Sequence, residues 1–197
     1  MTLNSKISED TKNKFRYCNL PENYWEAKLD KIQTCSHPEL LDEWLYNSRE
    51  SMQGKGLMIT GKYGRGKSAV AAIIAKQCLA RGIFSYWVNY DELMNTMMSK
   101  EMFSEHQSLP DRLRNVELLI IDEVHIKAKK GADYPLGFLD VLVRTRIQKG
   151  KTTIITTNQT PKTLKSFDLK ELTTSFVEVA KEAFTGILIT GDNLRDG

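Results

Sequence analysis

The chain has 197 residues and a formal net charge of +3, with 41% hydrophobic and 27% charged residues. This length suits one domain with a sizeable core, and the composition excludes an intrinsically disordered chain. The excess of positive charge is too small to indicate nucleic-acid binding, so any such surface must be a local patch.

The N-terminus and the cysteines predict a cytoplasmic protein. Residues 1–14 are polar and mixed in charge, and we expect a flexible tail there, ahead of a domain over residues 15–197. The tail contains no apolar signal segment, and no run of the sequence is long enough to span a bilayer. Cys18, Cys35 and Cys78 are far apart, form no zinc-type pair and are odd in number, which favours a reducing compartment.

Strands and helices alternate along the chain. A helix is predicted over 36–52, capped by Ser36, and a buried strand over 56–60 precedes a helix over 69–80. Residues 103–111 are polar and predicted to be irregular. Later strands are predicted at 83–88, 116–121, 152–157 and 186–190, and helices at 91–102, 136–148 and 168–183. The order predicts an α/β fold, a three-layer sandwich around a central parallel sheet of about five strands.

The loop between the first of these strands and its helix has the spacing of a phosphate loop. It runs from Gly61 to Ser68 as a glycine, four free positions and then Gly-Lys-Ser. Its glycines allow successive backbone N–H groups to point at an anion, and the following helix N-terminus adds to that attraction. Lys67 can reach the β- and γ-phosphates, and the Ser68 hydroxyl can ligate Mg²⁺. The predicted nucleotide contacts from this loop are Gly61, Gly64, Arg65, Gly66, Lys67, Ser68 and Ala69.

Polar residues follow two later strands. The apolar strand 116–121 leads into Asp122 and Glu123, and strand ends of a parallel sheet border the ligand crevice. Asp122 is placed to hold Mg²⁺ through water, and Glu123 to activate an attacking water, which favours nucleotide hydrolysis over phosphate transfer to a small molecule. Asn158 follows the strand 152–157 and either bonds the γ-phosphate or water, or is a turn residue. The predicted catalytic residues are Lys67, Asp122, Glu123 and Asn158, and the predicted metal ligands are Ser68 and Asp122.

The sequence resembles two nested groups of proteins. Three segments are similar to the Walker A, Walker B and sensor I elements of AAA+ ATPases: 61–68, 118–124 and 156–158. Three others are similar to the DnaC/DnaI and IstB group of bacterial and phage helicase loaders and transposase helpers: 19–24, 88–93 and 191–195. The resemblance covers roughly residues 15–196 and implies a P-loop NTPase fold, an AAA+ core without a separate lid domain.

The resemblance also implies an activity and its ligands. ATP and Mg²⁺ would be the cofactors, a hexameric replicative helicase the partner, and single-stranded DNA a further ligand, with self-assembly possible. Leu20 and Tyr24 would lie near the adenine. An IstB-like transposition helper, or a nucleotide-switched adaptor with little turnover, remains an alternative.

Candidate DNA contacts lie in two places. The region from about 95 to 111 corresponds in the family to a helical insertion that grips single-stranded DNA, and Lys100 and Phe103 would supply charge and a stacking ring. The second place is the densest basic cluster of the chain, which fits either phosphate contact or an ordinary solvated loop. Its members are Lys127, Lys129 and Lys130. His125, between this cluster and the acidic pair, is interpreted as a structural or surface residue.

One feature departs from the family pattern. AAA+ assemblies insert an arginine of one subunit into the next subunit's site, but no arginine occurs here between Arg146 and Arg195. Lysine is a weaker replacement, because it lacks the guanidinium fork. Slow hydrolysis by the isolated protein is therefore expected. The candidate replacements for the missing arginine are Arg144, Arg146, Lys170 and Lys181.

Overall fold

The structure, a computed structural model, describes residues 7–31, 34–46, 52–98, 108–125, 133–158, 178–179 and 181–190. Its centre is a six-stranded sheet in the order β1-β6-β2-β5-β4-β3. The strands are β1 (Thr34–Cys35), β2 (Gly56–Thr60), β3 (Ser85–Asn89), β4 (Leu118–Asp122), β5 (Thr152–Thr157) and β6 (Phe184–Thr190). All pairs from β6 to β3 are parallel, which confirms the predicted sheet of about five parallel strands.

Strand β1 was not predicted from the sequence. β1 has only two residues and pairs antiparallel with β6, where Cys35 lies opposite Ile189. A strand this short has no recognisable alternation of polar and apolar residues, so only its partner reveals it. Ser36 continues the contact, since its N–H donates to the Leu188 carbonyl at 2.9 Å and its hydroxyl accepts from the Leu188 N–H at 3.0 Å.

Helices cover both faces of the sheet. They are α1 (Glu9–Tyr17), α2 (Pro38–Tyr46), α3 (Lys67–Ala80), α4 (Tyr90–Met98), α5 (Ser108–Asn115) and α6 (Asp133–Gln148), with 3₁₀ turns at Glu22–Tyr24 and Leu29–Lys31. One buried cluster joins α2 and α3 to the sheet, and a second joins α4, α5 and α6 to its other face. Both faces of β4 are therefore covered, which explains its continuous apolar sequence. No helix within the described ranges is long and apolar enough to cross a membrane.

Several predicted boundaries were wrong. Residues 9–14, predicted as part of a flexible tail, belong to α1, whose N-terminus is capped by Ser8. This helix buries only Phe15 and is otherwise polar, so it lacks the apolar periodicity that reveals most helices. Residues 108–111, predicted to be irregular, are the first turn of α5. Helix α2 begins at Pro38, a favoured first position, and Ser36 contacts β6 instead of capping it.

Arg146 lies at the end of the sheet opposite the phosphate loop and is completely buried. Its Nε donates to Thr153 Oγ1 at 2.9 Å, and its two terminal nitrogens donate to the carbonyls of Leu113 and Thr152. Burial lowers the pKa of Arg146 to about 9, so the guanidinium still carries its charge at neutral pH. Arg146 therefore joins α5, α6 and the start of β5, and the suggestion that it replaces the missing arginine of the family is wrong.

We expect Arg146→Met to destabilise the protein by about 2–5 kcal/mol, because carbonyls that accept from the guanidinium would stay buried without their donor. The midpoint of urea unfolding measures this loss. Arg144→Met is the matched control on the same helix: Arg144 is exposed and pairs with Asp140, and its removal should cost less than about 1 kcal/mol. Equal midpoints for the two variants would contradict the structural role of Arg146.

Candidate functional site

The phosphate loop connects β2 to α3 and depends on glycine at two positions. Gly61 has φ 149°, and a Cβ there would overlap the Ile189 carbonyl of the neighbouring strand. Gly66 has φ 89° and is the N-cap of α3, where its carbonyl accepts the Val70 N–H at 2.9 Å. These conformations suit glycine and bring the loop around the N-terminus of α3, as the spacing of the motif predicted.

Lys67 and Asn158 meet inside this loop. The Lys67 side chain is largely buried, and its Nζ donates to Asn158 Oδ1 at 2.6 Å and to the Lys62 carbonyl at 2.9 Å. The contact forms because β5 lies beside β2 in the sheet, so Asn158 at the end of β5 reaches the loop that follows β2. The structure thus brings together two predicted catalytic residues that are 91 positions apart in sequence.

Ser68 and Asp122, the predicted metal ligands, are also in contact. Ser68 Oγ donates to Asp122 Oδ1 at 2.8 Å, and Thr156 Oγ1 donates to the same oxygen. Burial of this carboxyl raises its pKa, although the hydrogen bonds from Thr156 and Ser68 act in the opposite direction. A hydroxyl beside a carboxylate is a set of oxygen donors that suits Mg²⁺.

Glu123 follows β4 in an unusual backbone conformation. Its φ is 60°, and its N–H donates to Thr156 Oγ1 at 2.9 Å, while the next N–H, of Val124, donates to the Thr156 carbonyl at 2.9 Å. The exposed side chain accepts from Asn89 Nδ2 through Oε2 at 3.3 Å. This turn directs the Glu123 side chain to the cavity beside the phosphate loop.

Sequence reasoning missed Asn89 as a site residue. It is the last residue of β3 and lies opposite Asp122 in the register of β3 and β4. Its side chain contacts Glu123 and also accepts the Asp91 N–H at 2.9 Å, at the start of α4. The rule that singled out Asn158, a polar side chain at the end of a parallel strand, would have identified Asn89 as well.

The cavity at the loop measures about 160 Å³, and Tyr24, Glu123 and Asn158 line it together with loop residues. A wider cleft of about 530 Å³ adjoins it between the turn at 19–25 and the ends of β3 and β4, and shares Tyr24 and Glu123 with the cavity. Together, the cavity and the cleft leave room for a ligand longer than a phosphate group.

Tyr24 reaches the cavity because Lys76 holds its segment. Lys76 Nζ donates to the carbonyls of Tyr24, Trp25 and Ala27, at 3.2, 3.0 and 2.6 Å. Leu20, which was predicted to lie near the adenine together with Tyr24, borders the wider cleft but is only 4% exposed and packs in the core. Nothing in the sequence marked Lys76, since a lysine within a helix is usually solvated.

Some of the remaining predicted residues line the cavity, and others do not. Gly64, Gly66 and Ala69 line the cavity, whereas Gly61 and Arg65 belong to the loop without lining it. Arg144 lies in an ion pair with Asp140, and Lys181 in one with Glu178, and neither lines the cavity of its own chain. The following predicted residues lie outside the described ones: Lys100, Phe103, Lys127, Lys129, Lys130 and Lys170.

Comparison with known proteins identifies the family. The family model for the bacterial DnaA ATPase domain matches residues 47–179, which is more than half of the chain. No curated protein sequence matches the chain significantly.

Solved structures share the fold. The crystal structure of DnaI is 20% identical, with a TM-score of 0.68, and the match covers 89% of this chain and 94% of DnaI. The crystal structure of the DnaC helicase loader is 19% identical, with a TM-score of 0.67 and coverage of 86% and 100%. The replication initiator DnaA, bound to AMPPCP and single-stranded DNA, is 19% identical, with a TM-score of 0.63 and coverage of 85% and 51%. The chain shares its fold with DnaI and the DnaC helicase loader, and it belongs to the family of bacterial DnaA ATPase domains.

Proposed function

We propose that this protein binds and hydrolyses ATP and uses the cycle to load a replicative DNA helicase onto single-stranded DNA in the cytoplasm. The proposed ATPase activity rests on one observation: the ends of β2, β4 and β5 converge on one cavity. Lys67 contacts Asn158, Ser68 contacts Asp122, and Glu123 faces the same space. Charge, metal ligands and a carboxylate for water activation are the groups that nucleotide hydrolysis needs.

Each residue has a distinct role in this proposal. The loop N–H groups and Lys67 bind the phosphates, and Tyr24 borders the space into which the rest of the nucleotide extends. Ser68 and Asp122 would hold Mg²⁺, which neutralises phosphate charge when it is bound. Glu123 accepts a hydrogen bond from the attacking water and takes up its proton, and Asn158 orients this water or the γ-phosphate.

Among the described residues, Lys67 is the only cation that lines the cavity, whereas the proposed chemistry uses a second positive charge. Residues 147–194 contain no arginine, Arg146 is buried in the core, and Arg144 and Lys181 lie in surface ion pairs. We therefore expect slow turnover by the isolated protein and completion of the site by self-assembly or by the partner. The same observation favours a second candidate, an adaptor that switches its partner by binding ATP without turning it over.

The loader role is supported by the proteins that share the fold. One is a helicase loader by name, and another is a replication initiator bound to single-stranded DNA. A hexameric replicative helicase and single-stranded DNA are accordingly the partners that we propose. A transposition helper of the IstB type would bind a transposase and duplex DNA instead.

Steady-state ATP hydrolysis and partner capture test this function together. We expect slow turnover alone and a rise of at least about tenfold with the host's hexameric helicase and single-stranded DNA. Mass spectrometry of proteins retained from the host should identify that helicase. Recovery of a transposase together with a preference for duplex DNA would favour the transposition helper. ATP binding without turnover under all conditions would favour the adaptor, and fast turnover at low, monomeric concentration would contradict the incomplete site.

The proposed DNA contacts make a separate prediction. Phe103→Ala should weaken binding of single-stranded DNA by about 1–3 kcal/mol if the ring stacks on a base. Alanine at Lys100 or in the cluster of Lys127, Lys129 and Lys130 should flatten the salt dependence of binding. Fluorescence anisotropy over a salt series measures both effects. Phe84→Ala, which removes an exposed ring directly before β3, is the control and should leave binding unchanged. Unchanged binding in the Phe103 and lysine variants as well would show that the DNA surface lies elsewhere.

A further inference from the structure

His125 lies two residues beyond Glu123 and contacts two different parts of the site. Its Nδ1 is 2.9 Å from the Glu123 carbonyl oxygen, and its Nε2 is 3.1 Å from Asp91 Oδ1 in the first turn of α4. The ring also meets the buried ring of Tyr90 edge to face, with 5.4 Å between the centroids. The imidazole is thus held on three sides, unlike a solvated surface histidine.

His125 contacts the backbone of Glu123, the residue of the site with an unusual backbone conformation. Glu123 has φ 60°, a left-handed conformation that non-glycine residues rarely adopt and that the surrounding contacts must maintain. Thr156 holds the N–H groups of Glu123 and Val124. His125 holds the carbonyl of Glu123, so the peptide groups on both sides of this residue are fixed.

Asp91 completes the arrangement by orienting the ring. A carbonyl and a carboxylate oxygen only accept hydrogen bonds, so each contact is a hydrogen bond when the ring nitrogen involved carries a proton, and both are when both nitrogens do. The backbone N–H of Asp91 also donates to the Asn89 side chain at the start of α4. The same Asn89 side chain donates to the Glu123 carboxylate. The junction of β3 and α4 therefore contacts Glu123 at two points, at its backbone carbonyl through His125 and at its carboxylate through Asn89.

We propose that His125 is a positioning residue for Glu123 and that Asp91 orients it. The inference rests on the proposed function, in which Glu123 activates the attacking water. His125 does not line the cavity, so it acts through the Glu123 backbone and not on the nucleotide. Its removal lets the carboxylate leave the geometry that proton transfer requires, while the contacts of the phosphate loop remain.

Kinetics of four variants test the proposal. His125→Ala should lower kcat by about tenfold or more and leave the affinity for ATP within about twofold. His125→Asn keeps a donor near the position of Nδ1 and should restore kcat to within about threefold of the parent, whereas His125→Gln keeps only a donor toward Asp91 and should not. His37→Ala is the matched control, because His37 also pairs with a carboxylate, that of Glu39 at 3.1 Å, and is exposed on α2's N-terminal side. It should leave kcat unchanged.

Amide hydrogen exchange measured by NMR tests the same proposal without turnover. In His125→Ala, the N–H groups of Glu123 and Val124 should exchange faster, while those of residues 119–121 within β4 should not change. Unchanged exchange at Glu123 and Val124, or parent-like kcat in His125→Ala, would overturn the proposal. So would an equal loss of kcat and affinity, or a failure of asparagine to restore kcat. If the parent protein itself has no turnover, the proposed function fails, and the exchange measurement alone decides whether His125 positions this turn.

Discussion

Replacing Lys67 with alanine is expected to weaken ATP binding by about 10- to 100-fold. A charge-assisted hydrogen bond contributes about 1.5–3 kcal/mol, and the Lys67 ammonium is the group that the cavity offers to the phosphates. Because the side chain is only 8% exposed, solvent screens its charge weakly. Isothermal titration with ATP and Mg²⁺ measures the change.

The Lys67→Ala experiment has to distinguish the loss of a phosphate contact from a loss of folding. Lys67 also donates to Asn158 and to the Lys62 carbonyl, so the thermal midpoint of the variant should be recorded beside its affinity. Lys55→Ala is the control: it removes an exposed lysine at the other end of β2 that pairs with Glu43. Parent-like ATP affinity in a folded Lys67→Ala variant would remove the phosphate-loop assignment.

Glu123→Gln is expected to retain ATP binding and to lower turnover by at least about tenfold, since general-base groups contribute about 10²- to 10⁴-fold. Glutamine keeps the size of the side chain, and its carbonyl oxygen can still accept from Asn89 Nδ2. It removes the negative charge and the ability to take a proton. Steady-state phosphate release and equilibrium nucleotide binding, measured on the same preparation, separate the two effects.

Glu43→Gln provides the control for this substitution, because Glu43 is a surface carboxylate that pairs with Lys55 and does not line the cavity. Its turnover should equal that of the parent. A Glu123→Gln variant that hydrolyses ATP as fast as the parent would show that another group activates the water. A variant that loses binding as well would indicate that Glu123 contributes to holding the nucleotide.

The phosphate loop and the acidic strand end could be recognised from the amino-acid sequence, because their chemistry depends on short, contiguous spacing. Gly61 to Ser68 requires glycine at fixed positions, and the apolar strand before Asp122 can be buried only between two helical layers. The parallel sheet followed from the alternation of strands and helices, and the structure confirms it. The chemical roles of the individual residues stay predictions.

Residues that act over long sequence distances could not be recognised in the same way. Nothing in the sequence indicated the contacts of Arg146, Lys76 and His125, each of which meets groups on other elements of the fold. Helix α1 was missed because it has exposed ion pairs and one buried ring instead of an apolar stripe. Strand β1 exists only through its pairing with β6.

The sequence by itself therefore determined the family, the fold class and the residues of the candidate site, because these depend on spacing and hydrophobic pattern along the chain. Only the tertiary structure decided which polar side chains meet. The strand order places β5 between β2 and β4, which joins Asn158 to Lys67 and surrounds Asp122 with hydroxyl groups. Strand order depends on how the helices cover the two faces of the sheet, a non-local property that no single segment of the chain records.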